Sequence, residues 1–510
     1  MTHTHIPRLG DRAPRRRRPA RYAALSVAGA LVALSACKDS VVPFFTAPTS
    51  IPTNQSGLKQ AIMGLFSYTR NDQFQVVLEL SSYAREDANF TNTEPRFIEY
   101  DLGIIPIPVG AWIETWANEY QDIREAQQIL AAIPKVTPAY TPQQAAGLRG
   151  VVQTMEALNY LIIAWAHDSE GLAILQSPTA TTTAPAYCLQ DGLKYIVALL
   201  DTANANLDSA GSTPFPFKLP PGFAAVGAFA GPSTAAGSFA SFNRALAAKA
   251  GLELAYAIAH QKGGAAAPTV TSPGAPDVAA LTRADSAAKA SALFVPTSLP
   301  TNPVGQWSYD NFSVLYDFSA QSGDVPNPMN GIIGTQAVLN EVVANQDTAH
   351  DLRWKAKFLP NPAGQVQQQS YNFVASLFIY GMYPSPASPI PIIRSETLTL
   401  VEAQIRLGLG DLAGALGLIN DVRTEVGGLA PTSGVTYPAV RDALLKEQQI
   451  STMMEGGADR VIALRMYSLE VADDTTWNGT KYGPDQHTTV SPMSSAELTG
   501  RGGSFTTTCP

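Results

Sequence analysis

The stretch SETLTLVEAQIRLGLGDLAGALGLINDVRTEVGG, residues 395–428, decides the predicted fold because it contains two helical patterns joined at a tight corner. In its first half, Leu398, Val401 and Ile405 recur at helical spacing and form one apolar stripe. Ser395 is a residue type that often caps the N-terminus of a helix. We therefore predict a helix that is capped by Ser395.

The second half of the stretch predicts a helix that folds back on the first. Gly408 and Gly410 are expected to end the first helix, and Asp411 is expected to cap the next one. Apolar residues then recur at helical spacing, namely Leu412, Ala415, Leu416, Ile419 and Val422. The length is close to the tetratricopeptide period of about 34 residues. Such a pair cannot bury its apolar face alone, so we expect neighbouring helix pairs to stack on it.

Helical patterns of the same kind occupy most of the chain before residue 294. They lie at 58–70, 112–133, 143–166, 188–209, 239–260 and 278–294. We expect 112–133 to pair with 143–166, and 188–209 to pair with 239–260. Pro134 is expected to end the first of these four helices, because proline lacks the amide hydrogen that a helix interior needs.

The remaining segments predict loops around this helical scaffold. Residues 295–393 contain several prolines and few alternating apolar residues, so we expect a loop-rich, ligand-facing cap without a sheet domain. Residues 471–510 are expected to form a loop-like tail. The predicted fold class is therefore all-α, with tetratricopeptide-like helix pairs at about 57–294 and 394–470. We expect all of these parts to belong to one domain, 57–510.

Residues 1–36 have the features of an export signal. Arginines at positions 8, 12, 15–18 and 21 precede an apolar run, 22–34, that is short for a membrane span. The sequence LSAC resembles a bacterial lipobox, which implies cleavage before Cys37 and diacylation of that residue. The alternative is an ordinary signal peptide with a chance cysteine, and the export route stays open. Residues 37–56, rich in Pro, Ser and Thr, are expected to form a tether.

The charge of the mature chain argues against two classes of partner. The whole sequence has a formal net charge of −8, and removal of residues 1–36, with seven Arg and one Asp, makes it −14. Binding to nucleic acid needs basic patches, and so does adhesion to anionic lipid. No other apolar run approaches the roughly 20 residues of a membrane span. We therefore expect attachment to a membrane through the N-terminal lipid, and no nucleic-acid partner.

The sequence has no motif for metal, cofactor or nucleophilic chemistry. The six histidines do not cluster, and neither zinc-ligand spacing nor a nucleophile elbow nor a phosphate-binding loop is present. Cys188 and Cys509 are able to pair in an oxidising compartment, but two distant cysteines do not define a disulfide framework. We therefore expect no enzyme activity, no metal and no cofactor.

The C-terminal half resembles the SusD/RagB family of outer-membrane nutrient-binding lipoproteins. The matching residues follow the order of the family pattern: Arg394, Glu396, Glu402-Ala403, Gly410-Asp411, Ile419-Asn420 and Val422-Arg423. Further matches are Glu447, Glu455-Gly456, Arg460 and Arg465, with weaker ones at 112–133, Leu148-Arg149 and Asp351-Leu352-Arg353. The chain departs from the pattern at Gln448 and at Gly457-Ala458. We expect these departures to loosen an ion-pair network at the C-terminal packing surface.

This resemblance implies a fold, a role and a location. The family fold is all-α, with tetratricopeptide-like helix pairs that carry a loop-rich face. Members sit as a lid on a SusC-like TonB-dependent transporter, capture oligosaccharide or another nutrient, and deliver it. By that resemblance, the chain is expected at the cell outer membrane, lipid-anchored and surface-exposed, with a SusC-like transporter and a nutrient ligand as its partners.

A sugar-binding surface needs aromatic faces with hydrogen-bonding groups beside them. The run QWSYDNFSVLYDF supplies both. Its candidate ligand-binding residues are Trp307, Tyr309, Asn311 and Tyr316. Tyr380 and Tyr383, in the run IYGMYPSP, form a second candidate pair. The alternative for each ring is packing against the helices or between loops.

Two sets of polar residues contain residue types that are common in catalytic sites. For each set, a structural role is a simpler interpretation. The first set contains Glu447, Glu455, Arg460 and Arg465. Its helical spacing suits intramolecular salt bridges. The second set contains His167, Asp168 and Glu170. These residues follow a predicted helix, so helix termination and solvation explain them.

Three functions fit these features, and we prefer the first. It is a surface lipoprotein that captures a nutrient, which requires exposed aromatic residues on the loop-rich face. The second is a lipid-anchored tetratricopeptide-like scaffold for protein assembly without a small ligand, which requires interactions on the concave helix surface. The third is a glycoside hydrolase with two catalytic carboxylates in a cleft, whose separation cannot be read from sequence.

Overall fold

The computed structural model describes the chain in segments. These are residues 52–71, 73–84, 86–89, 111–136, 139–177, 183–223, 226, 228–231, 237–269, 271–291, 314–316, 336–338, 340–360, 378–469, 473–474, 485–486, 490–491, 493, 495–505 and 507. The expected signal, the lipidation site Cys37 and most of the predicted tether lie outside these residues.

Helices form most of the described chain, as the periodic apolar stripes predicted. In chain order they are α1 (Gln55–Asn71), α2 (Gln73–Tyr83), α3 (Ala111–Val136), α4 (Pro142–His167), α5 (Leu189–Ala210), α6 (Phe239–Lys262), α7 (Val278–Ala290), α8 (Asn340–Asn345), α9 (Leu352–Lys357), α10 (Ser395–Gly408), α11 (Leu412–Asp421), α12 (Tyr437–Thr452), α13 (Asp459–Met466) and α14 (Ser495–Gly500). The all-α class is therefore confirmed.

Short strands form small antiparallel sheets between the helices. One sheet has the order β1 (Asp87–Asn89), β5 (Gln336–Val338), β7 (Phe378–Tyr380), β6 (Phe358–Pro360). The two-stranded sheets pair β2 (Leu172–Ala173) with β3 (Ala186–Tyr187), β4 (Val314–Tyr316) with β8 (Ile390–Ile393), and β9 (Asp473–Asp474) with β10 (Asp485–Gln486). The cap was predicted without a sheet domain, yet it contributes strands to a four-stranded sheet. These strands are too short for the alternation of apolar and polar residues to reveal them.

The predicted helix pairs are present, and they stack in chain order. α3 packs on α4 and α5 packs on α6, while α4 also contacts α5 and α6 also contacts α7. The approach of α4 to α5 requires a glycine, since a Cβ atom on Gly150 would lie 2.7 Å from the carbonyl oxygen of Ala203. α10 packs on α11 and α12, and it also contacts α6 and α7. The C-terminal helix pair therefore closes against the earlier array.

The corner between α10 and α11 forms as predicted, except at the first residue of α10. Gly410 has a φ of +82°, which glycine adopts without strain. Asp411 caps α11, because its Oδ1 accepts a hydrogen bond from the Gly414 amide at 2.8 Å. Ser395 is not the N-cap. It is the first residue of α10, and Arg394 occupies the cap position because β8 runs directly into the helix.

One other helix boundary differs from the prediction. Pro134 lies inside α3, which continues to Val136. A proline this close to the end of a helix disturbs only the last turn. A break separates α12 from α13, where Met454 and Ala458 have φ values of 59° and 57°. This left-handed backbone cannot continue a right-handed helix.

The C-terminal tail, predicted to be loop-like, contains α14 and packs on the scaffold. The ring of Phe505 lies edge-on to Trp116, with 5.6 Å between the ring centroids. The amide of Ser491 donates a hydrogen bond to the carbonyl oxygen of Ala166 at 2.8 Å. These contacts join the end of the chain to α3 and α4.

Candidate functional site

The predicted aromatic site lies mostly outside the described residues. Three of its residues lie outside the described part of the chain, namely Trp307, Tyr309 and Asn311. For Tyr316 only the backbone is described. Tyr316 ends β4, where it is paired with Ile390 of β8. Since β8 leads directly into α10, one end of the predicted site is attached to the C-terminal helix pair.

Tyr380 and Tyr383 are buried, with exposed fractions of 1% and 2%. The hydroxyl of Tyr380 donates to the carbonyl oxygen of Glu86 at 3.2 Å, and that of Tyr383 donates to the carbonyl oxygen of Met454 at 2.6 Å. Neither ring has the exposed face that stacking on a sugar requires. The prediction that Tyr380 and Tyr383 bind a ligand is therefore wrong, and both residues pack in the protein interior.

The connection between α5 and α6 forms an aromatic groove beside β4. The run PFPFKLPPGF, residues 214–223, lines a cavity of about 460 Å³ together with Val226. β4 contacts the 3-10 turn Pro221–Phe223 of this run. Phe215 and Phe217 are half-buried, so each keeps part of its ring accessible. The aromatic groove and the strand that ends in Tyr316 are thus neighbours.

Core packing and proline hold the aromatic groove in place. Phe223 stacks on Phe239 with 5.9 Å between the ring centroids, and Phe215 packs on Phe229 at 4.1 Å. The prolines of the run fix their own φ angles, so little freedom is left to lose on binding. The sequence interpretation missed this groove because its surroundings, rich in Gly, Pro and Ala, indicate only a loop. The alternation of Pro and Phe at 214–217 was the available signal.

Charged residues that carry the family resemblance form a buried ionic network. Arg353 is fully buried, and it donates to Asp351 through Nε at 3.0 Å and Nη2 at 2.7 Å. Its Nη2 also pairs with Glu447 Oε2 at 2.5 Å, and Glu447 Oε1 accepts from Arg423 Nη1 at 2.6 Å. Burial alone would lower the pKa of Arg353, but the Glu447 and Asp351 carboxylates raise it overall. The guanidinium therefore stays charged inside the protein.

Glu455 is the centre of the second half of the network. Its Oε1 accepts from Lys357 Nζ at 2.9 Å, and Arg394 contacts both of its carboxylate oxygens at 3.0 Å. Arg394 also pairs with Glu396. Because basic partners neutralise these buried carboxylates, the salt-bridge interpretation of Glu447 and Glu455 agrees with the structure. The partners lie on other segments of the chain, however, and not one helical turn away.

The positions that depart from the family pattern still make polar contacts. Gln448 donates to Gln404 Oε1 at 2.9 Å, which joins α12 to α10. The carbonyl oxygen of Gly457 accepts from Lys249 Nζ at 2.6 Å, and the same ammonium group pairs with Asp459 at 2.8 Å. The expected loosening is therefore not observed at these positions, because Gln448 and Gly457 make other polar contacts.

His167, Asp168 and Glu170 occupy three different environments at the end of α4. His167 is fully buried, its Nδ1 donates to the carbonyl oxygen of Ser491 at 2.9 Å, and burial lowers its pKa to about 4. Glu170 is exposed. Asp168 lines a cavity of about 570 Å³ between α4, α5, α6 and α13. Helix termination and solvation therefore account for Glu170 but not for the cavity at Asp168.

Neither a metal site nor a membrane-spanning helix is found in the part of the chain that the structure describes. There, no group of three or more His, Cys, Asp or Glu side chains is arranged to hold a metal ion. No helix of this part has both the length and the apolar composition needed to cross a bilayer.

The chain is similar to known proteins in structure but not in sequence. No protein-family model matches the sequence, and no curated protein matches it either. A SusD superfamily protein from Parabacteroides distasonis matches with a TM-score of 0.62 and 12% identity, covering 87% of this chain and 98% of the other. One from Bacteroides fragilis matches with a TM-score of 0.61 and 13% identity, covering 88% and 99%. A protein solved with a xylogluco-oligosaccharide matches with a TM-score of 0.52 and 15% identity, covering 80% and 83%.

The chain therefore has the SusD-like fold, as its C-terminal pattern predicted. The likeness extends over most of the chain and over nearly the full length of the SusD superfamily proteins compared. At these identities the likeness establishes the fold alone.

Proposed function

We propose that this chain is an outer-membrane lipoprotein of the SusD/RagB family that captures an oligosaccharide and delivers it to a TonB-dependent transporter. The SusD-like fold over most of the chain carries the proposal. The lipobox expected at Cys37 supports attachment to a membrane. A structural neighbour that was solved with a xylogluco-oligosaccharide supports carbohydrate as the ligand class.

The ligand would bind where the aromatic groove meets the predicted aromatic run. Phe217 is half-buried in a rigid connection, and β4, which ends in Tyr316, contacts the same connection. Aromatic faces suit the apolar face of a pyranose, while the amide of Asn311 is suited to hydrogen-bond its hydroxyl groups. The buried ionic network is a structural element in this proposal and takes no part in binding.

A glycan array with the full chain tests the ligand class and the site together. We expect Trp307→Ala, Tyr316→Ala and Phe217→Ala each to weaken oligosaccharide binding by about tenfold, because each removes a stacking face. Phe505→Ala is the matched control, since this half-buried ring lies against α3 and not in the aromatic groove. Unchanged binding in all three variants would contradict the site assignment. Absence of any glycan ligand would favour the scaffold function.

Attachment and delivery need a separate experiment in cells. We expect labelled palmitate to be incorporated in the wild type and not in Cys37→Ser. We also expect a large β-barrel protein to co-purify with the wild-type chain in mild detergent. Labelling that persists in Cys37→Ser would contradict the lipidation site, and isolation without a barrel partner would contradict delivery to a transporter.

A further inference from the structure

The cavity at Asp168 is a second site candidate, distinct from the aromatic groove. Its volume is about 570 Å³, and it shares no lining residue with the groove. This volume is in the range of about 300–1,000 Å³ that is usual for small-molecule sites. Most of its lining residues lie on α5, α6 and α13, and helices hold binding groups more accurately than loops do.

A buried carboxyl group faces this cavity. Glu253 on α6 is 6% exposed, and its Oε2 accepts a hydrogen bond from Trp165 Nε1 at 3.2 Å. No described residue donates to its Oε1, and Glu253 is part of the cavity wall. Burial raises the pKa of Glu253 to about 8, and the nearby Asp168 carboxylate adds to the shift. At neutral pH the group therefore carries a proton and can both donate and accept hydrogen bonds.

The charges that face Glu253 cancel. Asp168 at the end of α4 is opposed by Arg465 on α13, and both line the cavity. Lys249, one turn earlier on α6, is already paired with Asp459 at 2.8 Å. The α5 wall contributes no charged side chain. When Glu253 is protonated, the charges on the cavity wall sum to zero. The wall therefore does not favour the binding of a cation or an anion.

The rest of the wall combines polar and apolar groups. The amide of Gln190 and the hydroxyl of Ser169 are available for hydrogen bonds. His260 Nε2 donates to the carbonyl oxygen of Met466 at 3.0 Å, which fixes the position of its ring. The ring of Tyr256 and the side chain of Ile462 supply apolar surface. A fully apolar ligand would leave only the hydrogen bond from Trp165 to the carboxyl group of Glu253 and would give its Oε1 no partner, which is costly.

We propose that this cavity binds one neutral, polyhydroxylated ring, such as a free monosaccharide. Such a ring offers hydroxyl groups that both donate and accept, which matches the neutral carboxyl group and the amide. It also offers an apolar face for the aromatic and aliphatic wall, and it carries no charge. The site is independent of the aromatic groove, and it does not require the proposed delivery to a transporter.

Calorimetric titration of the full chain in detergent at pH 7 tests the proposal with four probes. These are D-glucose, D-galactose, D-mannose and myo-inositol. We expect at least one probe to bind with one-to-one stoichiometry. Ala257→Phe, which fills the cavity from a half-buried position on α6, should weaken that binding by about tenfold or more. Ala131→Phe, a half-buried alanine on α3 outside the cavity, is the matched control and should leave binding unchanged.

Changes at Glu253 test the chemistry of the site. Glu253→Gln keeps a donor and an acceptor, so binding at pH 7 should be retained. Glu253→Met removes both and should weaken binding by about tenfold. In the wild type, affinity should fall as the pH rises through about 8, where Glu253 loses its proton, and Glu253→Gln should abolish this dependence. If Glu253→Met does not fold, two tests remain. One compares the pH dependence of binding between the wild type and Glu253→Gln, and the other measures the effect of Ala257→Phe.

Three results would overturn the proposal. One is the absence of binding by all four probes up to about 10 mM, a weak limit for a specific site. Another is binding that Ala257→Phe does not change. The third is tighter binding of agmatine, which is a cation at pH 7, than of the neutral probes, because this would indicate a charged ligand. Trp307→Ala separates this site from the proposed function, because it should weaken oligosaccharide capture and leave monosaccharide binding intact.

Discussion

A buried guanidinium such as that of Arg353 stabilises the fold only while its carboxylate partners remain paired. Replacing Arg353 by Met would leave the carboxylate of Asp351, which is 1% exposed, with uncompensated charge in the interior, while Glu447 would keep its pair with Arg423. We expect a loss of about 3–5 kcal/mol in the free energy of unfolding, measured in urea. Lys289→Met, which breaks an exposed pair with Asp285, should cost less than about 1 kcal/mol. Equal losses would mean that the buried pair contributes no more than a surface pair.

Buried, protonated glutamates should make the fold less stable as the pH rises. Burial raises the pKa of Glu156 to about 7, whereas an unfolded glutamate has its ordinary value of 4.5. Between pH 5 and 7 the folded chain therefore holds a proton that the unfolded chain has released. The free energy of unfolding should fall in this window by roughly 1 kcal/mol per pH unit for this group.

Glu156→Gln isolates that contribution, since glutamine keeps an acceptor for the hydrogen bond from Gln127. We expect the free energy of unfolding of the variant to fall less steeply from pH 5 to 7 than that of the wild type. His167, whose pKa is lowered to about 4 by burial, acts in the opposite direction below pH 6.5, but it does so in both proteins. Identical slopes would contradict a raised pKa for Glu156.

The sequence indicated the role of some single residues, but it did not indicate which residues they contact. Of the four residues predicted to form salt bridges, Glu447 and Glu455 do so, whereas Arg460 and Arg465 donate to the backbone carbonyl oxygens of Leu445 and Trp165. Their partners were not predictable, because Arg353 and Glu447 are 94 positions apart and meet only in the folded chain. Glu253 was not singled out for the same reason: its surroundings come from α4 and α13.

At the scale of elements, two glycines in helices should respond to alanine in opposite directions. Gly150 lies where α4 meets α5, and a Cβ atom there would be 2.7 Å from the Ala203 carbonyl oxygen. Gly417 is exposed on α11, and a Cβ atom there would meet no other atom within 4 Å. We expect Gly417→Ala to stabilise the protein by about 0.5–1 kcal/mol, because alanine favours the helix. Gly150→Ala should destabilise it by about 1–3 kcal/mol, because the helices must move apart.

Thermal and urea unfolding of both variants would measure this contrast, and the wild type is the common reference. A stabilising effect at both positions would show that α4 and α5 separate without cost, and that their close packing does not depend on Gly150. A loss at both would show that the helical preference of alanine is outweighed on α11.

Long elements were predictable here and short ones were not. The helices from α3 to α6 have 22 to 26 residues, enough for the apolar stripe to repeat several times. β5, β6 and β7 have three residues each, which is too few for any periodicity. The aromatic groove has the same difficulty, because the run at 214–223 has no period and its shape depends on Phe239 and Phe229 beneath it.

At the scale of the whole molecule, the first and last parts of the chain hold each other in place. The sequence predicted that helix pairs would stack, but it did not indicate that α10 would close against α6 and α7. It also left the tail as a loop, although Phe505 and Ser491 pack on α3 and α4. Contacts of this kind depend on the surface that the stacked helices create, so no local pattern encodes them.

The described end of the tail lies close to the start of α5. A Cβ atom on Gly171 would lie 2.9 Å from Thr507 Cγ2 and 2.3 Å from the Tyr187 carbonyl oxygen, so these three residues are neighbours. Cys188 follows Tyr187 directly, and it forms a disulfide. Thr507 is two positions before Cys509. Cys509 lies outside the described residues, and we predict that it, and not Cys37, is the partner of Cys188.

Removal of this disulfide should loosen the tail and destabilise the whole fold. We expect Cys188→Ser, Cys509→Ser and the double variant to lose the same amount, about 2–4 kcal/mol in the free energy of unfolding, since each breaks one and the same crosslink. Peptide mass mapping without reduction should find Cys188 joined to Cys509 in the wild type and in Cys37→Ser. A crosslink from Cys188 to Cys37 would contradict this pairing, and it would also contradict lipidation, because the thiol of Cys37 cannot carry both bonds.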